Sequence, residues 1–158
     1  MNNAKIPIEA IVLKYKNEIR KALFEITTSK TQVWIFNTNP SFKKTFSEYY
    51  AEWLQKLKQN NKKILNILNN ESIEKEDNKF ENYKVRYLSS QFAFPSNIII
   101  YEDKVLLVMK EENPIVILIN GKELSESYRN YFTILWESAK TEEDIKKIQN
   151  KRINTKKY

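Results

Sequence analysis

The sequence predicts one layered α/β domain in which helices flank a mixed central sheet. Three observations lead to this fold class. Helical periodicity alternates along the chain with short apolar runs, as expected for layered folds. The strongest apolar runs, at 98–101, 105–109 and 115–119, are continuous, which is typical of strands covered on both faces. No internal repeat and no Gly- or Pro-rich linker divides the 158 residues.

The N-terminal half of the chain alternates between predicted helices and strands. Apolar residues from Ile8 to Ile26 recur every three or four positions and predict a helix over 7–28. The next run predicts a strand over 31–37, and an aromatic row at 42–57 predicts a second helix. We interpret this row as core packing rather than as a ligand platform. A strand over 63–68, a loop over 69–82 and a strand over 83–88 follow.

The C-terminal half contains the three continuous strands and two helices. Asn120, with Glu123 three residues later, matches a capping box at the start of a long helix. The apolar side of that helix includes Phe132 and Trp136. A short final helix is expected from Thr141 to about residue 152. We divide the chain into one domain over 1–144 and a basic helix or tail over 145–158.

The chain contains no His and no Cys. These absences exclude disulfides, thiolate metal sites and Cys nucleophiles, and they remove the commonest general base. No GxSxG, SxxK or Gly-rich phosphate loop is present. The acidic pairs Glu111/Glu112 and Glu142/Glu143 are adjacent, so their side chains diverge on a strand or a helix. We therefore expect no cofactor, no metal site and no enzymatic activity.

The net charge of +7 is concentrated at the C-terminus. The segment 145–158 carries six basic residues and no acidic one, whereas the rest of the chain is nearly neutral. Such a segment is typical of a solubilising end, and it is also where a nucleic acid would bind. The candidate nucleic-acid contacts are Lys146, Lys147, Lys151, Arg152, Lys156 and Lys157.

Targeting signals are absent from the sequence. No stretch approaches the ~18 consecutive apolar residues of a membrane-spanning helix, and the polar start lacks the apolar core of a signal peptide. We expect a cytoplasmic protein that makes no contact with a membrane.

One part of the sequence resembles the C-terminal part of TrmB-type transcriptional regulators. In that family a Tyr-x-Asp-Lys-Val hairpin is followed by a strand of the form Pro-hydrophobic-Ile-hydrophobic-Ile and by a helix reading Glu-Ser-Tyr-Arg-x-Tyr-Phe. The corresponding segments here begin at Tyr101, Pro114 and Glu126, and the resemblance covers 94–140. Glu102 stands where Gly is usual, and we expect no winged-helix domain before Met1, so the resemblance does not imply DNA binding.

The resemblance implies a phospholipase-D-like half domain that serves as an effector-sensing and dimerising module. Phosphodiesterases of the phospholipase D type carry His, Lys and Asp at a spacing that falls here on Pro95, Asn97 and Glu102. Without His, covalent phosphoryl transfer by that route is unavailable, and we interpret the triplet as degenerate. Ser96, Asn97 and Glu102 are the candidate ligand contacts.

Two functions from different classes are favoured. The first is a sensory or interaction module without catalysis, linked to transcriptional regulation. It would form a homodimer and bind a small-molecule effector or a separate DNA-binding regulator subunit. The second is a nucleic-acid-binding module that uses the basic C-terminal tail, with weak or indirect binding. An enzyme is the third and least favoured hypothesis.

Overall fold

The structure, a computed structural model, describes residues 8–36, 40–69, 80–92, 96–109 and 112–156. The strands are β1 (Glu9–Leu13), β2 (Val33–Phe36), β3 (Ile64–Asn69), β4 (Tyr83–Leu88), β5 (Ser96–Tyr101), β6 (Lys104–Met109) and β7 (Ile115–Asn120). The helices are α1 (Lys16–Ile26), α2 (Pro40–Thr45), α3 (Tyr50–Gln59), α4 (Lys122–Ser138) and α5 (Glu142–Thr155). None of the helices in these ranges is long and apolar enough to span a membrane.

The seven strands form one mixed sheet in the order β1-β7-β6-β5-β2-β3-β4. β2, β3 and β4 run parallel to one another, whereas β5, β6, β7 and β1 pair in antiparallel fashion. β5 joins the parallel strands to the antiparallel ones, because it also pairs antiparallel with β2. Helices pack on both faces of the sheet, so the predicted fold class is confirmed.

The strand directions bring many chain segments to one edge of the sheet. β2, β3 and β4 end at this edge, and β5 begins there because it is antiparallel to β2. β1 and β6 also end there, and β7 begins there. We call it the carboxyl edge, and we call the other ends of the strands the opposite edge.

α1, α2 and α3 cover one face of the sheet and form the larger core cluster with it. The buried aromatic residues of α2, α3 and the turn between them are Phe42, Phe46, Tyr50 and Trp53. The indole N–H of Trp53 donates to the Leu23 carbonyl at 2.9 Å, which ties α3 to α1. The interpretation of the aromatic row as core packing is therefore confirmed, although it is divided between two helices instead of one.

α4 packs on the other face against β2, β5 and β6. Phe132 is buried there and meets Phe36 edge to face, with 5.0 Å between the ring centroids. Within β7, Val116 is the only fully buried residue, and the side chains of β1 are almost all exposed. The expectation that all three continuous strands are covered on both faces is thus wrong for β7, because α4 stops short of it.

The predicted helix over 7–28 is wrong in its first part. β1 occupies Glu9–Leu13 and pairs antiparallel with β7, and α1 begins only at Lys16. Ile8 and Ile11 fit the three-residue spacing of a helical face, but both belong to an extended segment whose side chains face solvent. The partner strand lies more than a hundred residues away, so the local pattern contains no sign of the pairing.

The two C-terminal helices differ in how well their starts were predicted. The N-cap of α4 is Gly121 and not Asn120, which is the last residue of β7, and no side chain caps this helix. The start of α5 is as predicted. Thr141 Oγ1 accepts a hydrogen bond from the Asp144 N–H, and the Asp144 carboxylate accepts one from the Thr141 N–H, both at 3.2 Å. This reciprocal pair is a capping box.

α5 is anchored to β4 near its first turn. Ile145 is 6% exposed and packs with Leu68 and Tyr87 in a small third cluster. The backbone of Lys140, just before the helix, exchanges two hydrogen bonds of 2.8 and 2.9 Å with Tyr87. Most of the side chains beyond Ile145 are exposed, so the C-terminal part of α5 projects its charges into solvent.

Tyr101 is the last residue of β5, and its hydroxyl group is buried without a hydrogen-bond partner among the described residues. Burial, reinforced by the carboxylates of Glu25 and Glu102, raises the pKa of this phenol above its ordinary value. In the unfolded chain a tyrosine ionises at a pKa of ~10. Above that pH, the folded state keeps a proton that the unfolded state loses.

We predict that the free energy of unfolding falls as the pH rises above ~10, and that it falls less in a Tyr101→Phe variant. The sign follows from linkage: a pKa raised by folding gives stability that is complete below the unfolded pKa and disappears as pH approaches the folded one. At neutral pH the variant should be equally stable or slightly more stable, because Phe buries no unpaired hydroxyl. Urea unfolding at pH 7 and at about pH 10.5 measures both effects. An identical pH dependence in the two proteins would contradict the prediction.

Candidate functional site

The candidate ligand contacts predicted from the sequence do not form one site. Ser96 and Asn97 begin β5 at the carboxyl edge, whereas Glu102 lies in the β5–β6 hairpin at the opposite edge. Asn97 and Glu102 are five positions apart along extended chain, which corresponds to ~16 Å. Asn97 is completely buried. Pro95, the third position of the triplet, lies outside the described residues.

Glu102 fixes the β5–β6 hairpin. Its φ of 48° lies in the left-handed region, which explains why the family it resembles usually has Gly there. Three hydrogen bonds hold the residue in this conformation. The Glu102 N–H donates to Thr31 Oγ1 at 2.8 Å, the Glu102 carboxylate accepts the Lys30 N–H at 2.9 Å, and the Glu102 carbonyl accepts from Arg129 at 2.8 Å. These bonds offset the unfavourable φ and give Glu102 a role in positioning the hairpin.

A shallow depression surrounds Glu102 at the opposite edge. The Arg129 guanidinium lies 5.5 Å from the centre of the Trp34 ring and forms one wall. Beside it, the buried Lys62 amino group donates to the backbone carbonyls of Ser29 and Thr31. Burial lowers the pKa of Lys62, and the nearby Glu102 carboxylate partly opposes this change. The polar groups here bind mainly the protein's own backbone, so they hold the turn before β2 in place.

A more enclosed cavity lies at the carboxyl edge, with a volume of about 550 Å³. We call it the edge cavity. Four separate segments contribute to it: the end of β1, the first turns of α1, the α2–α3 connection and the loop before β7. Its lining residues are Lys14, Lys16, Ile19, Lys44, Thr45, Phe46, Ser47, Glu48, Tyr49, Glu112, Asn113 and Pro114.

The edge cavity combines an apolar floor with a charged rim. Ile19 and Phe46 are buried beneath it, and the exposed residues Lys14, Lys16 and Lys44 line its rim. The rim also holds two carboxylates, and one of them, on Glu48, pairs with Lys16 at 3.4 Å. Because both partners of this pair are largely exposed, the pair is weak and easily exchanged for another anion.

Tyr49 adds a hydrogen-bond donor to the edge cavity. Burial raises the pKa of its phenol to about 12, while Arg20 lowers that pKa and Glu48 raises it further. The phenol therefore keeps its proton at neutral pH. Apolar surface, ammonium groups and a neutral hydroxyl group are together suited to bind an organic anion.

The candidate nucleic-acid contacts lie along α5. Lys146 and Lys147 form ion pairs with Glu142 and Glu143, one turn earlier, at 2.8 and 2.9 Å. These pairs reduce the positive charge that the first half of α5 presents. Further along, Lys151, Arg152 and Lys156 are exposed, and Lys157 lies outside the described residues.

The edge cavity was not predicted from the sequence. Lys14 directly follows β1, Lys16 begins α1 and Lys44 belongs to α2, and nothing in their local sequence distinguishes them from the other lysines of the chain. They converge only because β1 and β7 bring their ends to the carboxyl edge. The described ranges contain no group of three or more carboxylates that could hold a metal ion.

Several solved structures resemble this one. NucT from Helicobacter pylori superposes with a TM-score of 0.65 and 15% identity, covering 85% of this chain and 99% of NucT. Nuc from Salmonella typhimurium, a phospholipase D family member, gives a TM-score of 0.59 and 14% identity, covering 85% of this chain and 98% of Nuc. TrmBL2, an archaeal chromatin protein with a novel mode of DNA binding, superposes with a TM-score of 0.58 and 11% identity. The match covers 84% of this chain and 55% of TrmBL2.

Sequence comparisons add no family assignment, because no protein-family model and no curated protein match the chain.

The similar structures contradict the prediction that the chain is not an enzyme. Nuc is a phospholipase D family member, and this chain shares its fold. The prediction failed because the absence of His excludes only a route through a phosphohistidine. Carboxylates, Lys and Tyr remain as groups that transfer protons or attack phosphorus.

The comparisons agree with the topology at the level of the fold. A mixed seven-stranded sheet flanked by helices superposes on members of the phospholipase D family and on the matching part of TrmBL2. The chain therefore has a phospholipase-D-like fold.

Proposed function

We propose that the chain is a regulatory, effector-binding domain whose edge cavity takes a phosphorylated organic ligand. One observation carries this proposal: three lysines, from the β1–α1 connection, α1 and α2, line an apolar-floored cavity at the carboxyl edge. Ligands of open α/β sheets bind outside the carboxyl ends of the strands, where the connections diverge. The edge cavity lies at such a place, since the end of β1, the start of α1 and the loop before β7 meet there.

The dimensions and charge of the cavity favour a ligand of this class. A volume of about 550 Å³ suits a molecule of nucleotide size. Lys binds phosphate as a point charge and needs no fixed plane, so three flexible ammonium groups accommodate a phosphate in several orientations. The floor of Ile19 and Phe46 is available to the apolar part of the same ligand.

The regulatory part of the proposal is supported by two likenesses. The segment 94–140 resembles TrmB-type regulators in sequence, and the matching part of TrmBL2 has the same fold. In this proposal a DNA-binding regulator subunit is the partner that responds to the ligand.

We predict that Lys14→Gln and Lys44→Gln each weaken binding of the ligand about tenfold, because each charge-assisted hydrogen bond to phosphate contributes ~1.5–3 kcal/mol. Isothermal titration with a nucleoside monophosphate, a cyclic nucleotide, a short oligonucleotide and inorganic phosphate identifies the ligand class. Lys84→Gln is the matched control, because Lys84 is exposed on β4 at the far side of the sheet. Binding that is absent, or that both cavity variants retain unchanged, would contradict the proposal.

The same samples are assayed for turnover, because the fold is that of phosphodiesterases. Hydrolysis of a phosphodiester by the parent chain, reduced in the cavity variants but not in Lys84→Gln, would make the edge cavity an active site. Binding without turnover would leave it a regulatory site. Hydrolysis that the cavity variants leave unchanged would place the chemistry elsewhere in the molecule.

Nucleic-acid binding through α5 is a second candidate function. The specific observation in its favour is the group of exposed cations in the last turns of α5: Lys151, Arg152 and Lys156. Removing the whole segment 145–158 is a poor test, because Ile145 belongs to a buried cluster. Charge substitutions on the exposed side of the helix leave that cluster intact.

We predict that the triple variant Lys151→Gln, Arg152→Gln, Lys156→Gln reduces the slope of log Kd against log salt concentration for duplex DNA by about three units, since each phosphate contact contributes ~0.9. Fluorescence anisotropy between 25 and 200 mM salt, as a rough working range, measures the slope. The control is Lys146→Gln with Lys147→Gln, whose charges are already paired within the helix. Equal slopes in parent and triple variant would eliminate α5 as the contact surface.

A further inference from the structure

A second cavity lies beneath α5, beside the end of β4. Its volume is about 370 Å³, and we call it the α5 cavity. The last residues of β4, the turn Ser90–Phe92, the end of α4 and one side of α5 line it. β4 and β1 are the two outermost strands of the sheet. The α5 cavity and the edge cavity therefore lie at different ends of the carboxyl edge.

One side of α5 faces this cavity. It contributes Ile145, Ile148, Gln149 and Arg152, which are spaced like the residues of a single helical face. Ile145 packs into the buried cluster with Tyr87, whereas Ile148 is half-buried and Arg152 is exposed. Burial along this side thus decreases after the first turn of the helix, so the cavity opens beneath the later turns.

The walls of the α5 cavity are mainly apolar. Tyr87, Leu88 and Ile145 line it and are each less than 10% exposed. Phe92 lines it from the turn after β4, yet this side chain is 55% exposed. A phenyl group left in water beside a buried apolar floor is stabilised when the apolar part of a ligand covers it, and most favourably when that part is a ring.

The polar groups of the α5 cavity include two cations and no carboxylate. Lys140 and Arg152 supply the charges, and two hydrogen bonds to Tyr87 fix the backbone of Lys140 at this position. Asp144, at the start of α5, does not line the cavity, and its carboxylate accepts hydrogen bonds from Thr141. Among the described residues, no carboxylate forms an ion pair with either cation. The cavity is therefore suited to an anion.

The kind of cation distinguishes this cavity from the edge cavity. The planar guanidinium of an arginine matches a carboxylate through two parallel hydrogen bonds, whereas lysines act on phosphate as point charges. A volume of about 370 Å³ lies at the small end of the range for ligand pockets. Apolar walls, an exposed phenyl ring and an arginine at the rim thus favour a small ring-containing carboxylate.

We propose that the α5 cavity is a binding site for a small aromatic carboxylate. The ring of the ligand lies between Phe92 and the floor of Leu88 and Ile145, and its carboxylate pairs with Arg152 and Lys140. The proposal requires no ligand in the edge cavity, so it stands or falls separately from the proposed function.

Two-dimensional NMR titrations of the whole chain test the proposal, with benzoate, phenylacetate and naphthoate as probes. Each acid is compared with its neutral amide, which has almost the same shape. The acids should shift the backbone amide signals of Ser89, Phe92 and Gln149. Each amide should bind at least about tenfold more weakly than its acid, because charge-assisted hydrogen bonds are the stronger ones.

Variants then assign the contacts. Arg152→Gln should weaken binding of the acids about tenfold and leave the amides unchanged, since only the acids use its charge. Ile148→Trp should block acids and amides alike, because the larger side chain fills the cavity. Arg152 is exposed, so its variant should still fold, which circular dichroism verifies.

Two further variants serve as matched controls. Lys151→Gln removes an exposed cation next to Arg152 that does not line the α5 cavity. Lys14→Gln removes a cation of the edge cavity. Both should bind the acids as the parent chain does.

Four results would overturn the proposal. The first is the absence of binding by all three acids up to about 5 mM. The second is equal affinity for the acids and their amides. The third is a loss of affinity in Lys151→Gln as large as that in Arg152→Gln. The fourth is binding that Lys14→Gln weakens and Arg152→Gln does not, because the acids would then occupy the edge cavity.

Discussion

The pairing of β2 with β5 determines where everything else in the molecule lies. Only three residue pairs form it, namely Trp34 with Ile100, Ile35 with Ile99 and Phe36 with Ile98. These pairs join a parallel half, β2-β3-β4, to an antiparallel half built from β5, β6, β7 and β1. Because the two directions are opposed at this junction, the end of β2 and the start of β5 meet at the carboxyl edge. α4 lies across the same junction on one face of the sheet.

Most of the sheet was predictable because its strands have strong local signals. Continuous apolar runs predicted β5, β6 and β7, β-branched and aromatic residues predicted β2, and alternation of side chains predicted β4. β1 was missed because its stability depends on β7 and not on its own sequence. The same limit explains the error at the start of α4. Asn120 and Glu123 fit a capping pattern, but the N-cap is Gly121, one residue later. Local sequence patterns predict a structure correctly where short-range interactions determine it, as in the capping box of α5.

The candidate site was less predictable than the fold, for a physical reason. A spacing of residues along one strand predicts a shared site only if their side chains converge, and here β5 carries Asn97 and Glu102 to opposite edges. Glu102 was correctly singled out as unusual, but its role is to hold a left-handed turn that Gly adopts without strain. The lysines of the edge cavity are three among 23 in the chain, and only the tertiary structure selects them.

β1 shapes the edge cavity although β7 is its only partner in the sheet. Lys14 directly follows β1, and the loop before β7 lines the same cavity with Asn113 and Pro114. The cavity therefore depends on a strand pairing between residues more than a hundred positions apart. Short-range rules do not register such a pairing, and for that reason the same interaction was missing both from the predicted fold and from the predicted site.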